Sequence, residues 1–186
     1  MKNKRMWITA GIALALTALA TGAAISATDQ EKLKVPGGLS FSEFKGYESW
    51  AVVSISQNGP VVAAILGNPA MIAAYKSGIP ENGKPFPDGA KMAKIHWLPK
   101  KQVTYPGPPT VAGELKNVDF MVKDSKRFAD SGGWGYAVFE YDTATASYRP
   151  GDMKSTPPQG NDAKCGAACH VIVKNRDSMF TEYAKR

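Results

Sequence analysis

Val118-Asp119-Phe120-Met121-Val122-Lys123-Asp124-Ser125-Lys126-Arg127-Phe128 and, just beyond Gly132-Gly133, Trp134-Gly135-Tyr136-Ala137-Val138-Phe139-Glu140-Tyr141 decide the fold. Val118 to Val122 is a short apolar run rich in β-formers and reads as a strand. Trp134 to Tyr141 is aromatic and β-branched, a stronger strand signal still. Between them, Asp124 to Ala129 reads as a short helix that Gly132-Gly133 breaks. Two strands this close in sequence pair most simply as antiparallel neighbours.

Working outward, Lys91 to Leu98 is a third strand, preceded by the turn Phe86-Pro87-Asp88-Gly89. Trp50 to Ser56 and Val61 to Leu66 flank Asn58-Gly59-Pro60, and Asn-Gly between apolar runs signals a hairpin. Asn68-Pro69 opens a helix, with Asn to cap the free amides and Pro at the first helical position. Met71, Ile72, Ala74 and Tyr75 form its apolar face, and Gly78 ends it. Pro99 to Pro109, with four prolines, reads as an irregular loop, and Thr143 to Gly160 as a polar one. The expected architecture is α+β: about five strands in a mainly antiparallel sheet, with two or three helices on one side or end.

The 186 residues favour one domain, and 21% charged with 44% hydrophobic residues is ordinary for a globular chain. Residues 1–27 read as a secretory signal. Lys2, Lys4 and Arg5 precede a mostly apolar stretch from Trp7 to Leu19, and small residues follow at Gly22, Ala23, Ala24, Ser26 and Ala27. Cleavage after Ala24, Ser26 or Ala27 fits, and an uncleaved membrane anchor is the alternative. The domain proper is then 28–186, in an exported, periplasmic protein. Removing the three leader cations from the formal charge of +7 leaves +4, with basic residues scattered, which argues against a nucleic-acid partner.

Chemistry concentrates at Cys165-Gly166-Ala167-Ala168-Cys169-His170. In C-x-x-C-H, two thiols bond to haem and the next histidine binds the iron. Small intervening residues let a flat macrocycle approach. Here three residues separate the cysteines instead of two. Spacing alone leaves other readings open. One is a Cys165–Cys169 disulfide, which an exported compartment permits. Another is a zinc site, short of a fourth ligand unless His96 supplies it. The thiols could also be inert.

The chain resembles the cytochrome P-460 family through blocks that occur in order over roughly residues 45 to 183. They are Ile65-Leu66-Gly67-Asn68 with Ala74-Tyr75-Lys76, Phe86-Pro87-Asp88-Gly89 through Lys94, Phe120 to Phe128, Gly132-Gly133-Trp134-Gly135, and Met179-Phe180-Thr181 after the cysteine segment. The resemblance implies a mostly antiparallel β fold, often a homodimer, with one covalently bound c-type haem. It implies oxidation of hydroxylamine, with a small nitrogenous substrate and an electron-acceptor protein as partners. It also puts Lys94 at the position of a lysine bonded to the porphyrin edge, and Asp119 at the position of a distal glutamate that handles protons. Asp119 is one methylene shorter than that glutamate. Cys165 and Cys169 would attach the haem and His170 would bind its iron. A relative, cytochrome c-prime-beta, shares the fold with an apolar distal pocket and binds nitric oxide. A gas-binding or electron-carrying cytochrome is therefore the alternative, and a haem-free exported binding protein the third reading.

On a strand from Lys91 to Leu98, Met92, Lys94 and His96 share a face, with His96 about 6–7 Å from Lys94 along the strand. His96 is then a possible second axial ligand. Lys126 and Arg127 are candidates to pair with haem propionates. Trp134 and Tyr136 are expected to pack the core.

Overall fold

The protein is described from a computed structural model covering residues 27–35, 38–151 and 166–185. The expected leader up to residue 26 lies outside the described residues, as does Cys165. Among the described residues, six strands form one antiparallel sheet in simple meander order: β1 (Ala51–Asn58), β2 (Val61–Gly67), β3 (Lys91–Lys101), β4 (Thr110–Lys123), β5 (Trp134–Asp142) and β6 (Ser147–Pro150). Three helices among the same residues join it: α1 (Ala27–Gln30), α2 (Pro69–Lys76) and α3 (Ala167–His170), the last running into a 3₁₀ stretch, Val171–Arg176. The α+β expectation holds. No helix among the described residues is long and apolar enough to cross a membrane.

The β1–β2 hairpin turns at Asn58-Gly59-Pro60 as read, with Asn58 paired to Val61. Asn68 caps α2 by accepting from the Met71 amide at 2.9 Å. The same Oδ1 accepts from Lys91 N–H, and Nδ2 donates to Gly89 O, so the cap also fastens the helix to the start of β3.

Four expectations need correction. β3 continues to Lys101 and β4 begins at Thr110, so the expected 99–109 loop shrinks to its middle and β4 is far longer than 118–122. The first half of β4 is polar and alternately exposed, so it carries no apolar run to betray it. Pro99 is tolerated because the ladder is irregular between Trp97 and Pro99, where a missing N–H costs least. Asp124 to Ala129 is not a helix. Asp124 accepts from the amides of Lys126 and Arg127, but the chain makes one turn and a 3₁₀ segment, Ala129–Ser131, before the glycines. The polar stretch 143–160 contains β6, which pairs with the end of β5 and makes a sixth strand.

Alternation along the strands gives the sheet two different faces. On one, Ala93, Phe120, Val118, Val122, Ala137 and Phe139 meet Phe41, Phe44 and Tyr47 of the N-terminal segment in a closed aromatic core. Phe44 stacks on Phe120 with centroids 4.1 Å apart. On the other, Met92, Met121, Trp134 and Tyr136 are covered by Met71 and Tyr75 of α2, by Phe86 and by Met179. Trp134 and Tyr136 are core residues, as expected. The C-terminal tail is held on this second face: Tyr183 stacks on Tyr75, the Tyr75 hydroxyl donates to Thr181 O, and the Ala184 amide donates to Val53 O.

Candidate haem site

The cover on the second face stops short. Register places Lys94 opposite Asp119, and Asp119 opposite Val138; the next row outward is His96, Asn117 and Glu140. These two rows floor an open cavity of about 650 Å³. Beside it, a cavity of about 210 Å³ lies between the sheet and the C-terminal segment, lined by Cys169, His170 and Phe180 across from Met92, Met121 and Tyr136. Lys94, Asp119 and Val138 line both. The sequence-derived candidates Lys94, Asp119, Cys169 and His170 therefore line two neighbouring cavities that share a wall.

Gly166 shows how closely the segment bearing Cys169 and His170 is laid on the sheet. A Cβ there would fall 2.3 Å from the Tyr136 ring, so only glycine fits the approach. His170 packs between Tyr136 and Phe180, each ring centroid 4.9 Å away. Its Nδ1–H donates to Ser178 O at 2.7 Å, leaving Nε2 with the lone pair. Burial first, and the Lys94 charge, lower its pKa against the opposing pull of the Ser178 carbonyl, so the ring stays a neutral donor. A committed Nδ1–H with a free Nε2 is the usual dress of a metal-ligating histidine.

Lys94 is half-buried and makes no hydrogen bond or ion pair recorded among the described residues. Asp119 keeps about a third of its side chain open to the cavity, while protein atoms crowd it on every other side. That burial pushes its carboxyl up to about 6, against the opposing effects of Lys94, the Asn117 hydrogen bond and Lys116. Such a group is poised to exchange a proton near neutrality. Asn117 is the residue that sequence reasoning missed. Its amide donates both to Asp119 Oδ1 and to His96 Nδ1, the latter at 3.0 Å. Its position two residues before Asp119, on the same strand face, was the available signal. His96 lines only the larger cavity, apart from Cys169 and His170. Burial, with Lys94 and Lys116, lowers its pKa to about 4, so it is neutral.

Arg127 does not approach this space. It donates to Glu43 and Gly38 of the N-terminal segment, on the closed face. Lys126 is exposed in the neighbouring turn.

Comparison with known proteins agrees with the geometry. The chain matches the family described as Cytochrome P460 over residues 44–181. It belongs to that family. Membership makes this a haem cytochrome with covalently attached haem. No curated protein matches the chain. The residues present fit the group. A cavity pair of this size lies within the usual range for cofactor sites, about 300–1,000 Å³. A thiol and a histidine with a free Nε2 stand at the edge of the smaller cavity.

Proposed function

We propose that this cytochrome is an exported enzyme that oxidises hydroxylamine and passes the electrons to an acceptor protein. Haem, when bound, supplies an iron that takes the substrate nitrogen and accepts its electrons. In this reading Cys165 and Cys169 would hold the haem covalently and His170 Nε2 would bind its iron. Asp119 takes protons released as the substrate is oxidised, through a carboxylate oxygen or one water. Asn117 orients that carboxylate by donating to Oδ1. Lys94, on the wall shared by both cavities, is the residue that would bond to the macrocycle edge. The leader at 1–27 would send the domain 28–186 to the periplasm, where a homodimer is the expected assembly.

The observation that carries this reading is the direct cross-strand pairing of Lys94 with Asp119 on the wall shared by both cavities. A second reading, a nitric oxide-binding or electron-carrying cytochrome, is favoured by the apolar side chains lining the smaller cavity, Met92, Met121 and Met179. Steady-state oxidation of hydroxylamine with an artificial electron acceptor separates the two. Turnover by the haem-loaded protein is expected. No turnover, with full haem content and tight nitric oxide binding, sinks the enzyme and leaves the carrier.

A further inference from the structure

Lys123 is a buried lysine, only 6% exposed, at the end of β4. Its ammonium is fully engaged: it pairs with Asp177 at 2.6 Å, donates to Gly132 O at 3.0 Å, and sits 5.1 Å over the Trp134 ring. The other oxygen of Asp177 accepts from the Phe86 amide at 2.8 Å. Both carboxylate oxygens are therefore held by groups from the sheet side of the molecule. Asp177 and Ser178 themselves have φ of 48° and 61°, two successive non-glycine residues in the left-handed region. Such a backbone persists only where its surroundings impose it. Its product is the direction of the Ser178 carbonyl, which accepts from His170 Nδ1–H.

We propose that the Lys123–Asp177 pair is a positioning device for His170, setting the strength of its bond to iron and hence the reduction potential of the haem. This rests on His170 as axial ligand. The physical path is short. The pair fixes Asp177; Asp177 fixes the left-handed turn; the turn aims the Ser178 carbonyl; the carbonyl draws on the Nδ1 proton and makes Nε2 a better donor. A stronger donor favours the ferric state and lowers the potential, hydrogen bonding around the ligand being one of the protein's levers on a haem. Neither Lys123 nor Asp177 touches the cavities, so a cofactor-binding role does not explain their burial.

The test uses the haem-loaded full-length protein. Asp177→Asn strands a buried ammonium, so the Lys123→Met/Asp177→Asn double variant, which removes both charges, is measured beside it. The readouts are the iron–histidine stretching frequency of the ferrous form by resonance Raman, and the reduction potential. Both variants are expected to show a lower stretching frequency and a higher potential at unchanged haem stoichiometry. If only Asp177→Asn fails to fold, the double variant decides. A wild-type stretching mode that the double variant leaves unmoved, with an unmoved potential, overturns the inference and makes the pair a structural tie. A wild type with no histidine mode overturns the axial assignment, and the inference with it.

Discussion

The two faces of the sheet are built by alternate residues of the same strands, yet they are different materials. On the closed face, Ala93, Phe120 and Ala137 form one cross-strand row sealed by Phe41 and Phe44. One residue back along β4, Lys94, Asp119 and Val138 form the next row, facing the cavities. A period of two lets one strand serve stability and chemistry at once. The closed face can be uniformly apolar because no ligand must enter it. The open face carries charge where packing stops, and there burial shifts Asp119 and His96 away from their ordinary titration ranges.

Neighbouring residues of β4 offer the sharpest way to break this contrast. Asp119→Ala should lower the proposed hydroxylamine oxidation about 10²–10⁴-fold, with haem content intact, because it removes the proposed proton acceptor. Phe120→Ala should instead destabilise the fold by about 3–5 kcal/mol, read by chemical denaturation. Its haem spectrum, taken on the folded fraction, should match wild type. Equal losses of activity from both variants would mean the two faces are not functionally separate.

A smaller effect concerns pH. With its carboxyl raised to about 6, Asp119 is a competent base only above that pH. The kcat/KM of wild type should therefore fall as pH drops through about 6, approaching tenfold per pH unit below it. Asp119→Asn should have low activity without that limb. A wild-type profile flat from pH 5 to 8 would take the proton role away from Asp119.

The smallest effect is expected on the closed side. Glu43 bonds Arg127 where both side chains keep water contact. Glu43→Gln should cost no more than about 1 kcal/mol in denaturation and leave turnover alone. A larger loss would show that the N-terminal segment depends on this charge and not on its aromatic residues.

Much of this was legible where local signals agree with tertiary ones. Asn58-Gly59 turned the hairpin, Asn68 capped α2, and the apolar runs of β2 and β5 announced buried strands. Lys94 and His96 could be put on one face by counting. That Lys94 faces Asp119 needed the pairing register, which only resemblance between families could anticipate. The polar half of β4 and the short β6 were illegible because solvent-exposed pairing leaves no hydrophobic period. Asp124 looked like the start of a helix because its cap is real; the glycines at 132 and 133, both with positive φ, stop it after one turn. The Lys123–Asp177 pair joins residues 54 apart, and nothing local marks either as buried.

Gly166 lies flat on Tyr136, and Ala184 bonds to Val53. Between those two fastenings runs the segment bearing Cys169 and His170. It follows every strand in chain order, and a chain emerges from synthesis N-terminus first. Assembly thus has a direction: the sheet that seats the cofactor can be finished before the residues that tether it arrive. On the proposed reading the tether is the closing clasp of the fold, and haem attachment would be the step that locks it.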